Sequence, residues 1–458
     1  MISVLSQISA CITGLFLPAV LFVSGLYFLF RIGRFVFSPH FFIRVIRGEK
    51  KRGNDRSDCV EMYCAKEKKT ATRTPFSSLC LALAGTLGVG NISGVTAAIT
   101  VGGPGTVFWI WVSAIVSSVL KYAETVLALK YREKDQNGAY RGGAHLYIKN
   151  GLNAPRVAVF FCLICIMTSF TMGCITQTKA AADGVLASMG ISPFICGGVF
   201  FAAVLYLSFG GGEKISGFTL KLIPPLCLAY VILSVCVIFV FRQNIPYVTS
   251  VIFSEALSFR AGVGGVIGVM SMPAMRYGVT RGIMSNEAGC GTAPIAHARA
   301  ETESPVRQGL FGVIEVLCDT LILCTLTAYA VLVSDVALTG SSTEIAISSF
   351  ASALGEPVKI FLGVSIFLFA LGSVAGWAFY GQESVKALGL RKSALTVYGV
   401  VFAFSAFLGC VIPENTVWEL ADLSISVMAI INVSALILMS SEVIKITKDV
   451  NRKRSKTK

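Results

Sequence analysis

Two short stretches of this 458-residue chain hold residue types that an apolar frame has least use for. The first reads Gly85-Thr86-Leu87-Gly88-Val89-Gly90-Asn91-Ile92-Ser93-Gly94, the second Ser285-Asn286-Glu287-Ala288-Gly289-Cys290-Gly291-Thr292-Ala293-Pro294. Each glycine weakens a helix by about 1 kcal/mol relative to alanine, so both stretches predict a helix that unwinds. Half-helix N-termini then present free N–H groups and a positive dipole end, which suits a carboxylate. Exposed carbonyls at half-helix C-termini, with hydroxyl and amide oxygens, suit a hard cation such as sodium. The chemistry predicted is capture of a small carboxylate solute together with a cation. Close helix packing through small residues would account for Gly90 and Gly94, but not for Asn91 or for residues 285–287.

Other ionisable groups fall inside apolar runs, where they are expensive and usually functional. Glu315 and Asp319 stand one turn apart, as a proton relay or as a structural pair facing a bundle interior. Glu287 lies within the second stretch, placed either to gate or hold a cation or to cap a half-helix. Lys121 and Glu124, three apart, read as a mutually satisfied pair. His297 reads as a loop hydrogen-bonder and Lys179 as a side chain reaching the interface. The motif Cys162-Leu163-Ile164-Cys165 has no second Cys or His pair to complete a metal site. It belongs to fourteen cysteines that mostly sit in apolar runs as small hydrophobes.

The elements that must position these groups follow from composition. Hydrophobic residues make up 54% of the chain and charged ones 14%, against about 25% charged in an ordinary soluble domain. The mean hydropathy is +0.73. Such a chain is an all-α polytopic membrane protein. Apolar runs predict spans at 8–30, 76–101, 105–129, 155–176, 193–209, 218–241, 282–298, 308–333, 358–382, 393–412 and 417–440, roughly eleven. The net charge of +14 is concentrated in residues 31–73 and in the tail. Basic flanks of spans need no nucleic-acid partner. They place the N-terminus outside and the C-terminus in the cytoplasm of a bacterial-type inner (plasma) membrane, with only Arg242, Arg260, Arg276 and Arg281 against the rule. The expected division is an extra N-terminal helix and basic loop (1–75), five spans (76–241), an extracellular connection (242–281), five more spans (282–440) and a basic cytoplasmic tail (441–458). Each five-span block opens on a broken helix, and an odd number of spans inverts the second block relative to the first.

The motifs Gly88-Val89-Gly90-Asn91-Ile92-Ser93-Gly94, Gly102-Gly103-Pro104-Gly105, Phe108-Trp109-Ile110-Trp111, Arg141-Gly142-Gly143, the second stretch through His297-Ala298, and Pro305-Val306-Arg307-Gln308-Gly309 resemble the alanine/glycine:cation symporter family. That resemblance, from about residue 70 to 440, implies the leucine-transporter-like fold of five plus five inverted spans. It implies sodium- or proton-driven symport of alanine, glycine and similar small amino acids. It further implies that Gly85, Thr86, Gly88, Gly90 and Asn91 contact substrate, with Gln177 as a polar pocket residue. Ser285, Asn286, Gly289, Gly291 and Thr292 would form the other wall, and Trp377 would limit side-chain size. Carbonyls of Ala84 and Leu87 with the Ser373 hydroxyl would cage sodium; Glu287, Glu315 and Asp319 are the coupling candidates. The chain departs from the family pattern at Gly372, where a hydroxyl residue is usual, and at Cys174 and Lys179, where asparagine is. The missing hydroxyl bears on which ion drives transport and in what number.

The partners expected are a small amino acid, a co-transported Na+ or H+ and membrane lipid, with no resident cofactor, no nucleic acid and an oligomeric state left open. The alternatives are a proton-coupled carrier of another small carboxylate solute, a channel, or an intramembrane enzyme. No nucleophile–base pair or metal triad at usable spacing supports the last.

Overall fold

The computed structural model describes residues 16–39, 41–43, 75–135, 138–208, 211–257, 273–302 and 304–455. The basic segment 44–74, the start of the first expected span and Arg260 lie outside these residues.

The described chain is built from α1 (Leu17–Val36), α2 (Pro75–Thr86), α3 (Ser93–Gly102), α4 (Thr106–Lys130), α5 (Pro155–Met189), α6 (Pro193–Ser208), α7 (Gly211–Val240), α8 (Ile245–Ala256), α9 (Pro273–Asn286), α10 (Ala293–His297), α11 (Pro305–Val333), α12 (Ser342–Leu354), α13 (Pro357–Ala387), α14 (Lys392–Val411), α15 (Glu414–Leu438) and α16 (Ser440–Ser455). A two-residue hairpin, β1 (Glu133–Lys134) with β2 (Tyr140–Arg141), sets Glu133 opposite Arg141. After it comes a short helix, Ala144–Leu146, and a π-helical turn, Tyr147–Gly151. Proline opens α5, α9, α11 and α13, where its missing N–H belongs to the unpaired first turn.

Eight described helices are long and apolar enough to cross a membrane, and α6 and the Val89–Gly102 segment are shorter apolar pieces. Two boundaries differ most from those expected. α5 continues past residue 176 to Met189, because its polar residues find partners: Gln177 reaches the α2–α3 turn, and Lys179 pairs with Asp183 at 2.7 Å. α9 begins at Pro273, inside the expected connection 242–281, which also contains α8. Apolarity misses the start of α9 because this helix packs through small residues. A Cβ at Gly278 would lie 2.6 Å from the Thr106 carbonyl oxygen of α4. The charge of Arg281, which broke the loop-charge pattern, is met by Asp422 of α15 at 3.1 Å, and its guanidinium sits 4.1 Å from the Trp418 ring centre. Pro224 and Pro225 lie within α7, which continues through them.

The core gathers around α4, α5 and α13. α9 and α11 pack along α4, α13 packs along α5 and against α2, and α6 packs on α14. The side chains of α4 from Val116 to Leu129 are all buried, so it behaves as the central post. Gly309 of α11 is one of its contact points: a Cβ there would meet the Tyr122 ring at 2.8 Å and Val126 at 2.9 Å. Gly309→Val should therefore cost about 1–3 kcal/mol by overpacking. It should lower the melting temperature in detergent, whereas Gly198→Val, whose Cβ meets nothing within 4 Å, should leave it unchanged.

Candidate functional site

The first break is the turn between α2 and α3. Gly88 N–H turns back to the Thr86 carbonyl at 2.8 Å instead of continuing the ladder, which takes the Ala84 carbonyl out of the regular pattern. A single 3₁₀ turn, Val89–Asn91, follows before α3 resumes. The Val89 N–H is met from α5 by Gln177 Oε1 at 3.1 Å. Gly88 has no room for a side chain: a Cβ would lie 2.5 Å from that same Oε1 and closer still to Ser373 Oγ of α13. Gly88, Gln177 and Ser373, far apart in sequence, are brought to one point. Gly85 borders the Tyr380 hydroxyl, which a Cβ would approach to 2.8 Å. The buried Trp377 side chain packs tightly against Gly173 of α5, and its ring meets Tyr380 edge-on, with ring centres 5.6 Å apart. Gly90 keeps open space, since its nearest neighbour would be the Ser285 Cα at 3.6 Å. Thr86 donates to the Ala82 carbonyl of its own helix at 3.3 Å.

The second break, between α9 and α10, takes its shape from backbone angles. Glu287, Gly289 and Gly291 have φ of +52°, +82° and +82°. The two glycines adopt this left-handed conformation without steric cost. The freed backbone is gripped from two other helices. Asn432 of α15 donates to the Gly289 carbonyl at 2.9 Å and to Glu124 Oε2 at 2.8 Å, and the same Oε2 accepts the Gly291 N–H at 3.2 Å. Tyr147 hydrogen-bonds Asn432 Oδ1. Within the break, Thr292 donates to Glu287 Oε2 at 2.6 Å, and Asn286 accepts from the Ala288 N–H at 2.9 Å while donating to Thr320 Oγ1 at 3.1 Å.

The breaks are tied to each other through Asp319 of α11. Asn91 donates to Asp319 Oδ1 at 2.8 Å. The Ser285 hydroxyl lies 2.6 Å from Asp319 Oδ2 and 3.0 Å from Asn91 Oδ1, so its one proton serves both. Thr320 donates to the same Oδ2 at 2.9 Å.

Glu315, one turn from Asp319, belongs to a different network. Its Oε1 is 3.2 Å from Lys121 Nζ and its Oε2 is 2.8 Å from His297 Nε2, all three side chains being fully buried. Gln308 holds the other imidazole nitrogen at 2.7 Å. Three readings of the sequence are corrected here. Lys121 pairs across helices with Glu315 and not with its neighbour Glu124, and His297 is a buried bridge instead of a loop residue. Glu315 and Asp319 are not partners of one another, because one turn along α11 is enough to carry them to separate neighbours. Glu124 and Asn432 were not singled out as a pair, although a carboxylate and an amide at membrane depth are a signal in themselves. Among the described residues, no three His, Cys, Asp or Glu side chains converge as a metal-binding group.

The sodium:alanine symporter family model matches residues 1–458, the whole chain. The chain belongs to that family. It is 35% identical over 393 residues to the sodium/alanine symporter AgcS of Methanococcus maripaludis, covering 83% of this chain and 84% of that one. It is 34% identical to the probable sodium/glutamine symporter GlnT of Bacillus subtilis, covering 83% and 79%. Among solved structures, MhsT in complex with L-phenylalanine superposes with a TM-score of 0.53 at 12% identity, over 84% of this chain and 99% of that one. This likeness shows the fold, that of the leucine-transporter-like carriers. The protein is thus a multi-pass membrane transporter and not an enzyme.

The Lys121–Glu315 pair generates a stability test. Lys121→Met leaves the buried Glu315 without its ammonium partner and should cost about 3–5 kcal/mol, seen as lost monodispersity or a lowered melting temperature. Adding Glu315→Gln should recover most of that loss. A double variant no better than the single one would show that Lys121 acts through other contacts.

Proposed function

We propose that this transporter carries alanine, glycine and similarly small neutral amino acids into the cell with sodium, by alternating access around the two breaks. The observation that carries the reading is the meeting of both breaks, from opposite halves of the chain, through Asn91, Ser285 and Asp319. Backbone unwound at membrane depth persists where it lines a cavity or meets a ligand. A zwitterion is the ligand that uses both free N–H groups and free carbonyls. Substrate recognition is assigned to the backbone of Gly85, Thr86, Gly88 and Gly90, with Gln177 and Trp377 bounding the pocket. Asn91, Ser285, Asn286, Gly289, Gly291 and Thr292 then act mainly by holding the breaks in shape, since their polar groups are already engaged within the protein. The small pocket is supported by Trp377 and Tyr380, which crowd the side of Gly85 and Gly173.

For sodium we assign the carbonyls of Ala84 and Leu87 and the hydroxyl of Ser373. The support is the departure of Gly88 N–H from the helical ladder and the closeness of Ser373 Oγ to Gly88. A proton-driven variant is favoured by one specific observation. Glu124, Glu287 and Glu315 are all buried, while the Lys121 ammonium is paired with Glu315, and one cation cannot neutralise three buried carboxylates. The N-terminus is assigned to the outside and the C-terminus to the cytoplasm.

Radiolabelled alanine uptake into proteoliposomes, under a sodium gradient, a proton gradient or neither, tests the reading. Accumulation with sodium alone is expected; accumulation only with protons would transfer the coupling role to the carboxylates around Lys121, and none under either gradient would overturn the substrate. Ser373→Ala should raise the half-saturating sodium concentration about tenfold, the worth of one lost polar contact, with the order of preferred amino acids unchanged. An unaltered sodium dependence in that variant would remove Ser373 from the cation site.

A further inference from the structure

Away from the breaks, the face of the protein that carries the hairpin contains a cavity of about 250 Å³. It lies between β1 and β2, the Ala144–Gly151 segment, the start of α5 and the end of α13. Its polar side is basic in balance: Arg141, Lys149, Lys386 and Lys134 line it with His145, against Glu133 and Asp135. The acids nearby are already engaged. Glu383, behind the cavity, takes Arg141 Nε at 2.8 Å and Lys386 Nζ at 2.8 Å. Glu133 accepts from Asn150 at 2.9 Å, and Asp135 accepts the Ala139 N–H at 2.9 Å. The ion pair with Glu383 uses the Nε of Arg141, and Lys149 reaches the exposed rim outside the ion pairs formed among the described residues.

His145 also lines the cavity, with its side chain only 7% exposed. The opposite wall is apolar, formed by Pro155, Ala158 and Val159 of α5. That wall continues onto the outer surface of the same helix, where Val159, Phe160 and Leu163 are 47%, 49% and 48% exposed. A basic recess whose apolar side runs onto a lipid-facing helix is the arrangement that takes a phospholipid headgroup with its chains alongside.

We propose that this cavity binds the phosphate of an anionic phospholipid from the leaflet on the hairpin face, with Arg141, Lys149 and Lys386 meeting the charge, His145 the phosphate oxygens, and α5 the acyl chains. The site rests on the spanning fold and not on the substrate assignment. Burial, with Arg141 and Lys149 nearby, pulls the His145 imidazole down to about 4. Burial is the larger cause, so a bound phosphate would offset only the part of the shift due to Arg141 and Lys149.

The test uses the full chain in phosphatidylcholine nanodiscs with and without phosphatidylglycerol, read by native mass spectrometry after detergent release. The wild-type protein should retain phosphatidylglycerol in preference to phosphatidylcholine. Lys149→Glu, at an exposed position that leaves folding intact, should lower that retention roughly five- to tenfold, the worth of at least one basic side chain at a membrane surface. Lys149→Arg should keep it. Lys392→Glu, an exposed lysine beyond the end of α13 that is outside the cavity, should not change it. Equal retention of both lipids by the wild-type protein would overturn the proposal, as would equal losses from Lys149→Glu and Lys392→Glu, which indicate diffuse surface charge. Displacement of the lipid by millimolar inorganic phosphate would overturn it in favour of a soluble phosphate site. Imidazole resonances from selectively labelled histidine, of which the chain has three, give a second readout. One of them should move on addition of phosphatidylglycerol, and Lys149→Glu should suppress the movement.

Discussion

In hydrocarbon there is no water to accept an orphaned backbone N–H or to donate to an orphaned carbonyl, and each such group costs several kcal/mol. This chain opens two helices at membrane depth, and much of its interior is organised around satisfying what that exposes. Gln177 holds the Val89 N–H, Glu124 the Gly291 N–H and Asn432 the Gly289 carbonyl. These three come from α5, α4 and α15, so the breaks fix how those helices stand toward one another as much as the helices fix the breaks. The remaining unwound groups are the ones the proposed substrate and cation sites draw on.

The buried charges follow the same logic. Lys121, Glu315, His297 and Gln308 form a chain in which each member satisfies the next across α4, α10 and α11. Asp319 forms a second hub for Asn91, Ser285 and Thr320. Separate hubs tie successive turns of α11 to different parts of the bundle: Gln308 and Glu315 to α4 and α10, and Asp319 to the junction of both breaks.

Much of this could be read in advance where the signal is local. Both breaks were legible because glycine, proline and polar residues interrupt otherwise apolar runs, and the membrane class followed from composition. The start of α9 was not legible by hydropathy, because Arg276, Thr280 and Arg281 make it polar while Gly278 and Gly282 provide its packing face. Partnership was read least well. Lys121 and Glu124 have the spacing of a helical pair, but spacing along one helix cannot report that Glu315 arrives from another. Asn432 lies in a long apolar run with no glycine or proline to mark it, and its role exists only once α15 is packed against the second break. His145 and the basic recess are likewise assembled from four separate segments.

The Ser285 proton, shared between Asp319 and Asn91, has a consequence for how such a protein can change over time. Removing Asp319 takes away the acceptor that Asn91 and Ser285 share, whereas removing Asn91 or Ser285 leaves the remaining pair bonded. A lone exchange at Asp319 is therefore the costliest of the three, and change at this junction is expected to begin at the other two positions.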